Sequence, residues 1–169
     1  MVKATYKNNL EEYKKYFTHT IFNLNGGKKT LIILGAIVLA LVGISFLFPI
    51  LFVLAILFAI VFLFKVLGYR GGINKHLKTI EKNYKEFEKN SNEYEFYEEN
   101  FFVINKKGKT EAKYEDLIRV EETKEFFYLY VTKVLAYIIK KSGIQEGSSE
   151  ELSLILKNAV KEKYKRRGK

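Results

Sequence analysis

From Thr30 to Phe64 the chain runs for 35 residues without a charged side chain, and its only proline, Pro49, sits near the middle of that run, in FLFPILF. As one straight helix the run would reach about 52 Å, against a hydrocarbon core of roughly 30 Å. A single straight span is too long. Proline inside a helix removes a hydrogen bond and clashes with the preceding turn, so its natural place is a kink or the first turn of a new helix. Pro49 therefore predicts a tight hairpin of two spans, Lys29 to Phe48 and Ile50 to Tyr69, with Lys65 snorkelling and Tyr69 among the headgroups.

Charge supports two spans over one kinked span. The net charge is +10: residues 1–29 carry +4, residues 65–90 carry +4 and residues 91–169 carry +2. The excess brackets the apolar run, and the segment around Pro49 has no lysine or arginine. By the positive-inside rule both ends of the hairpin face the cytoplasm. The candidate membrane-surface contacts are Lys28, Lys29, Lys65, Arg70, Lys75, Lys78 and Lys82, set to meet anionic headgroups. Juxtamembrane attraction accounts for a pI near 9.5 without nucleic acid as a partner. There is no cysteine, so a disulfide framework and a thiolate metal site are excluded. No cleavable signal peptide is expected, because the first apolar stretch begins about thirty residues in and is too long for one; the hairpin serves as the targeting signal.

Four segments are expected. Residues 1–28 read as a short strand and an amphipathic helix, capped by Asn8 or Asn9, with Leu10, Tyr13, Phe17 and Ile21 on one face. Residues 29–69 form the hairpin, turning near Pro49. Residues 70–90 form a basic linker helix with an apolar stripe, Ile73, Leu77, Ile80, Tyr84 and Phe87, and with Lys85 and Lys89 extending the lysine row. That stripe is expected to cover the N-terminal face, which would tie residues 1–29 to the C-terminal domain. Residues 91–169 change to the period of strands, five or six of them: about 93–98, 101–105, 109–113, 117–123, 126–131 and 135–140, all antiparallel because their connections are short. A last helix is signalled by Ser148 with Glu151, a capping box, and by the face Leu152, Ile155, Leu156, Ala159, Val160 and Tyr164. The fold class is an α+β membrane protein: a transmembrane helical hairpin, then a cytosolic antiparallel barrel or sheet, pleckstrin-homology-like, with a terminal amphipathic helix.

The order of elements, and in particular YEDLIRVEETKEFFYLYVTKVLAYIIKK followed by SSEELSLILKNAV, resembles the YcxB-like family of bacterial membrane proteins. The resemblance implies the bacterial cytoplasmic membrane, two spans, and a cytosolic domain similar to bacterial pleckstrin-homology domains, and it implies no known activity. The chain departs from the family pattern at Tyr114, where tryptophan is frequent, and at Ile138 to Ser142, which lacks the family's proline.

Residues suited to chemistry are sparse. His19 and His76 are the only histidines, and neither stands in a metal-ligand motif. Asp116 is the only aspartate, which leaves no paired-aspartate magnesium site. GGKKT lacks the upstream glycine of a phosphate loop. Glu121 and Glu122 are adjacent on a strand, so they point to opposite faces and are expected to meet solvent or end the sheet. Lys106 to Lys109 with Lys113 reads as a solvated turn. Within the spans Ser45 is the only polar side chain between Leu31 and Phe64, which argues against an ion pathway. Ala36, Ala40 and Gly43 with Ala55 and Ala59 are expected to pack the hairpin, since small residues let helix backbones approach; the same stripe would also serve a homo-oligomer. The expected function is a non-enzymatic, membrane-anchored interaction module, without cofactor or metal, presenting its domain to lipid headgroups and to an unidentified protein partner. The alternative is an accessory subunit of a membrane enzyme or transport complex.

Overall fold

Along Val2–Lys7 every second side chain is apolar, and Val2, Ala4 and Tyr6 are buried, as period-two alternation requires of a strand with one covered face. This strand, β1, lies inside a five-stranded antiparallel sheet, in the order β4-β3-β2-β1-β8. The neighbouring strands are β2 (Ser91–Phe96), β3 (Asn100–Asn105), β4 (Gly108–Lys113) and β8 (Ile144–Glu146). A second sheet has the order β7-β6-β5-β9, built from β5 (Arg119–Glu122), β6 (Phe126–Tyr130), β7 (Ala136–Lys140) and β9 (Tyr164–Arg166). The computed structural model describes residues 1–24, 26–82 and 89–167; Tyr84, Lys85 and Phe87 of the expected linker stripe lie outside them.

All six strands expected after residue 90 are present within a few residues of their predicted bounds. Two more, β8 and β9, were not expected. The pairing of β9 with β5 is parallel, Val120 opposite Tyr164 and Glu122 opposite Arg166, so the sheet is not wholly antiparallel. The parallel connection is available because a helix, α4 (Ser149–Val160), intervenes. Its capping box is complete: the Glu151 N–H donates to Ser148 Oγ at 3.1 Å, and the Ser148 N–H donates to the Glu151 carboxylate at 3.0 Å. Leu152, Leu156 and Val160 of α4 are buried, as are Val120, Phe127, Leu129 and Ile139 of the second sheet. Tyr114 is buried, with its ring 5.4 Å from that of Phe101 and its hydroxyl donating to the Tyr97 carbonyl at 2.8 Å. The turn into β8 depends on Gly143, since a Cβ there would stand 2.2 Å from the Thr5 carbonyl oxygen.

The chain divides into two compact units: Met1–Glu12 with Asn83–Lys169, and Tyr13–Lys82. The second unit contains most of the first helix, α1 (Leu10–His19), whose N-terminus is capped by Asn9, with Oδ1 accepting from the N–H groups of Glu11 and Glu12 at 2.9 and 3.2 Å. A π-helical turn, Thr20–Leu24, follows. On the expected face, Phe17 stacks on His76 at 4.1 Å and the Tyr13 hydroxyl lies 3.1 Å from His76 Nε2; the one buried residue of α1, however, is Tyr16, outside that face.

Two long helices complete the unit, α2 (Gly27–Ser45) and α3 (Leu51–Lys82), and both are long and apolar enough to cross a bilayer. Pro49 lies in the turn between them. There the N–H groups of Leu51 and Phe52 donate to the carbonyls of Phe48 and Pro49, at 2.9 and 3.0 Å. A linker helix beginning at residue 70 is corrected: α3 continues without a break through Gly68, Gly71 and Gly72 to Lys82. Glycine costs a helix up to about 1 kcal/mol relative to alanine but, unlike proline, removes no hydrogen bond, so the ladder persists. The expected packing stripe is corrected too. Ala55 is buried, but Ala36, Ala40, Gly43 and Ala59 are exposed. The covered face of α2 is instead Leu31, Leu34, Gly35, Val38 and Leu41, with the Phe62 ring 3.9 Å from where a Gly35 Cβ would stand.

Two outcomes follow from this arrangement. Lys7 pairs with Ser91, and the Asn8 N–H donates to the Asn90 carbonyl at 3.1 Å, so everything between is an insertion in a β-hairpin. Replacing residues 8–90 by an Asn-Gly turn should give a soluble domain with a cooperative thermal transition, whereas residues 91–167 without β1 should aggregate; size-exclusion chromatography and circular dichroism read both. Within the helical hairpin, Ala55→Leu should cost about 1–3 kcal/mol by overpacking, and Ala59→Leu should be neutral, as measured by SDS titration in mild detergent.

Candidate functional site

The sequence RVEE makes β5, and strand alternation puts Arg119 and Glu121 on one face of the sheet and Val120 and Glu122 on the other. Contrary to expectation, neither carboxylate meets solvent: Glu121 is 0% exposed and Glu122 2%. Removing a carboxylate from water costs several kcal/mol unless it is paired and hydrogen-bonded. Both are paired. The expectation failed because it treated β5 as an uncovered strand, whereas β9 lies along its edge and α4 lies over one face.

Three parts of the chain converge on Glu122. From the residue after β7, Lys141 Nζ donates to Oε1 at 2.6 Å and also lies 4.9 Å from the centroid of the Phe127 ring. From α4, Ser153 Oγ donates to Oε2 at 3.0 Å. From β9, the Tyr164 hydroxyl donates to Oε2, and Arg166 Nε stands 3.5 Å from it. The Ser153 and Tyr164 hydroxyls are themselves 2.7 Å apart. On the other face, Glu121 Oε1 accepts from Arg119 Nη2 and from Arg167 Nε, the latter at 3.0 Å.

These contacts set the ionisation. Burial by itself would push the Glu122 carboxyl up, but the donors Lys141, Tyr164 and Ser153 outweigh it and hold the group below its ordinary value of 4.5. Burial, and then the bond to Glu122, push the Tyr164 hydroxyl up to about 12. Glu122 is thus ionised at neutral pH, and the two carboxylates together form an acceptor set addressed by tyrosine, serine, lysine and arginine donors. The two carboxylates lie on opposite faces of one strand and cannot share a substrate as an acid and base pair.

The residues proposed for membrane contact sit elsewhere. Lys28, Lys29, Lys65, Arg70, Lys75, Lys78 and Lys82 are all exposed, the first pair in the opening turn of α2 and the rest along α3. Lys75, Lys78 and Lys82, spaced by three and four, share one face of α3, opposite Ile73, Leu77 and Ile80. The lysine-rich turn from Lys106 is exposed, with Lys109 Nζ donating to Glu95 at 2.6 Å and lying 4.3 Å from the Phe102 ring centroid. Among the described residues no group of three histidine, aspartate or glutamate side chains is placed to hold a metal ion. The glutamate cluster was missed because Tyr164–Arg167 is short and highly charged; the usable signal was the surplus of cations, Arg119, Lys141, Arg166 and Arg167, for two adjacent acids in an aromatic strand region.

Residues 96–156 match the family model described as YcxB-like protein, a span that includes Glu121, Glu122, Lys141 and Ser153. No curated protein and no solved structure matches the chain.

Glu122→Gln tests the energetics. Because the folded-state value is lowered, Glu122 contributes stability above pH 4.5 that is lost as pH falls through the folded value. At pH 7 the variant should lose about 3 kcal/mol, and its deficit relative to the parent should shrink towards pH 3, as read by urea denaturation across pH.

Proposed function

We propose that the protein carrying this YcxB-like segment is a non-enzymatic, membrane-anchored interaction module, with a hairpin that fixes a pleckstrin-homology-like domain at the cytoplasmic face of a bacterial membrane. The observation that carries the reading is the apolar surface of α2 and α3. Leu39 is 74% exposed, Val53 57% and Phe64 70%, with no charged residue between Thr30 and Phe64. Leaving a large apolar side chain in water instead of apolar surroundings costs about 1.5–3 kcal/mol, and a lipid environment removes that cost for the whole row.

Orientation is supported by the exposed cations at the base of the hairpin and their absence from the turn around Pro49. The same lysines suit anionic headgroups, each contributing about 1 kcal/mol near the surface. Strands closed by a capped terminal helix support the pleckstrin-homology-like assignment. Such a domain works by recognition of a partner, and the donor-rich cluster on β5 is suited to holding surfaces together rather than to turnover.

The absence of cysteine makes the topology directly testable. Leu47→Cys in the turn and Lys107→Cys in the β domain are labelled in turn with a membrane-impermeant maleimide. Intact cells should label only the Leu47→Cys variant, and permeabilised cells both. Labelling of Lys107→Cys in intact cells would reject the proposed orientation.

A further inference from the structure

We infer that the outer edge of β5 is a docking groove for an extended basic segment of a partner protein, of the pattern aromatic-x-Arg-Arg, and that Tyr164–Arg167 is its resident stand-in. This deepens the interaction reading by naming the class of partner, and it is independent of which side of a membrane the domain faces.

The cluster divides into two sets of donors. The body of the domain supplies Arg119 to Glu121 and Lys141 to Glu122, one cation for each carboxylate. The strand supplies a second set: the Tyr164 hydroxyl and Arg166 to Glu122, and Arg167 to Glu121. The body set neutralises both buried charges, so the groove keeps its ion pairs without β9. The strand set adds to these and to the Ser153 hydroxyl on Glu122, since a carboxylate accepts as many as four hydrogen bonds. The selectivity of the groove follows from this chemistry. An aromatic hydroxyl opposite Val120 reaches Glu122, and arginines two and three residues later meet Glu122 and Glu121 on opposite faces of the sheet. Main-chain bonds such as Arg167 N–H to the Glu122 carbonyl, at 2.7 Å, are available to any extended segment.

The resident is weakly held in other respects. It pairs over three residues, and Lys165 and Arg166 are exposed. The chain reaches it through Lys161, the one described non-glycine residue at positive φ, 47°, a backbone conformation that costs about 1 kcal/mol or more. Short, solvated edge pairings open at the low end of a protein's range of local stabilities. A longer partner segment with the same donors would therefore compete for the edge.

The test uses the full chain in mild detergent, a variant ending after Lys163, and a labelled peptide Glu-Lys-Tyr-Lys-Arg-Arg with a control in which both arginines are glutamine. Fluorescence anisotropy should show the shortened variant binding the arginine peptide at least tenfold more tightly than the intact chain does, and at least tenfold more tightly than it binds the control. A folded shortened variant that ignores the peptide, or binds both peptides equally, overturns the proposal. If the shortened variant loses its cooperative melting transition, the decision passes to the full-length Arg166→Gln/Arg167→Gln variant. That chain should bind the arginine peptide where the parent does not; equal or absent binding by the two overturns the proposal. Either failure leaves the maleimide topology experiment, and with it the anchoring hypothesis, intact.

Discussion

Everything in the first unit depends on the pairing of β1 with β2, from Val2 opposite Phe96 to Lys7 opposite Ser91. Without β1 the five-stranded sheet would split, because this strand alone joins β2 to β8. The pairing closes across the whole helical hairpin. Loop closure grows only slowly with length, about 0.6 kcal/mol for each doubling, so a long insertion is tolerable in a sheet. Among the described residues of the insertion α2 and α3 pack along each other, and the Phe22 and Tyr69 rings meet at 5.9 Å. An ordered hairpin returns the chain at less entropic cost than a flexible loop of equal length.

The second constraint is electrostatic. Two neighbouring acids on one strand must emerge on opposite faces, so a domain that buries both needs cations on both sides of the sheet. The chain meets this need with residues distant in sequence: Lys141 just after β7, Ser153 on α4, Tyr164 and Arg166 on β9, and Arg167 just after it. Lys140 pairs with Phe126, and Lys141 begins the turn with its N–H on the Glu125 carbonyl at 2.9 Å.

What could be read from the sequence follows the strength of local signals. Strands with alternating aromatic and β-branched residues, the Ser148 capping box, the Asn9 cap and the Pro49 turn each have a short-range physical cause, and each was legible. β8 and β9 have three residues apiece and little apolar content, so no periodicity marks them. Their existence is decided by what they pair with. The packing face of α2 was illegible for another reason. A helix that is apolar on every side carries no phase in its hydropathy, and residue size was the only remaining clue. That clue selected Ala36, Ala40 and Gly43, whereas the half-buried positions of α2 include Leu31, Leu34, Gly35, Val38 and Leu41.

The positive charge also means different things in the two units. In the first, several lysines and arginines are paired with acids: Lys3 meets Glu146 at 2.9 Å, Lys109 meets Glu95, Lys140 meets Glu12 at 2.5 Å, and the β5 pair takes four more cations. In the second, the lysine row of α3 is exposed. Salt screens exposed charge over about 8–10 Å near physiological strength and acts much less on buried pairs. Raising ionic strength should therefore weaken the proposed attraction of α3 to an anionic surface well before it disturbs the Glu122 cluster. Net charge alone could not make that separation; it comes from where each cation lies and whether an acid is buried beside it.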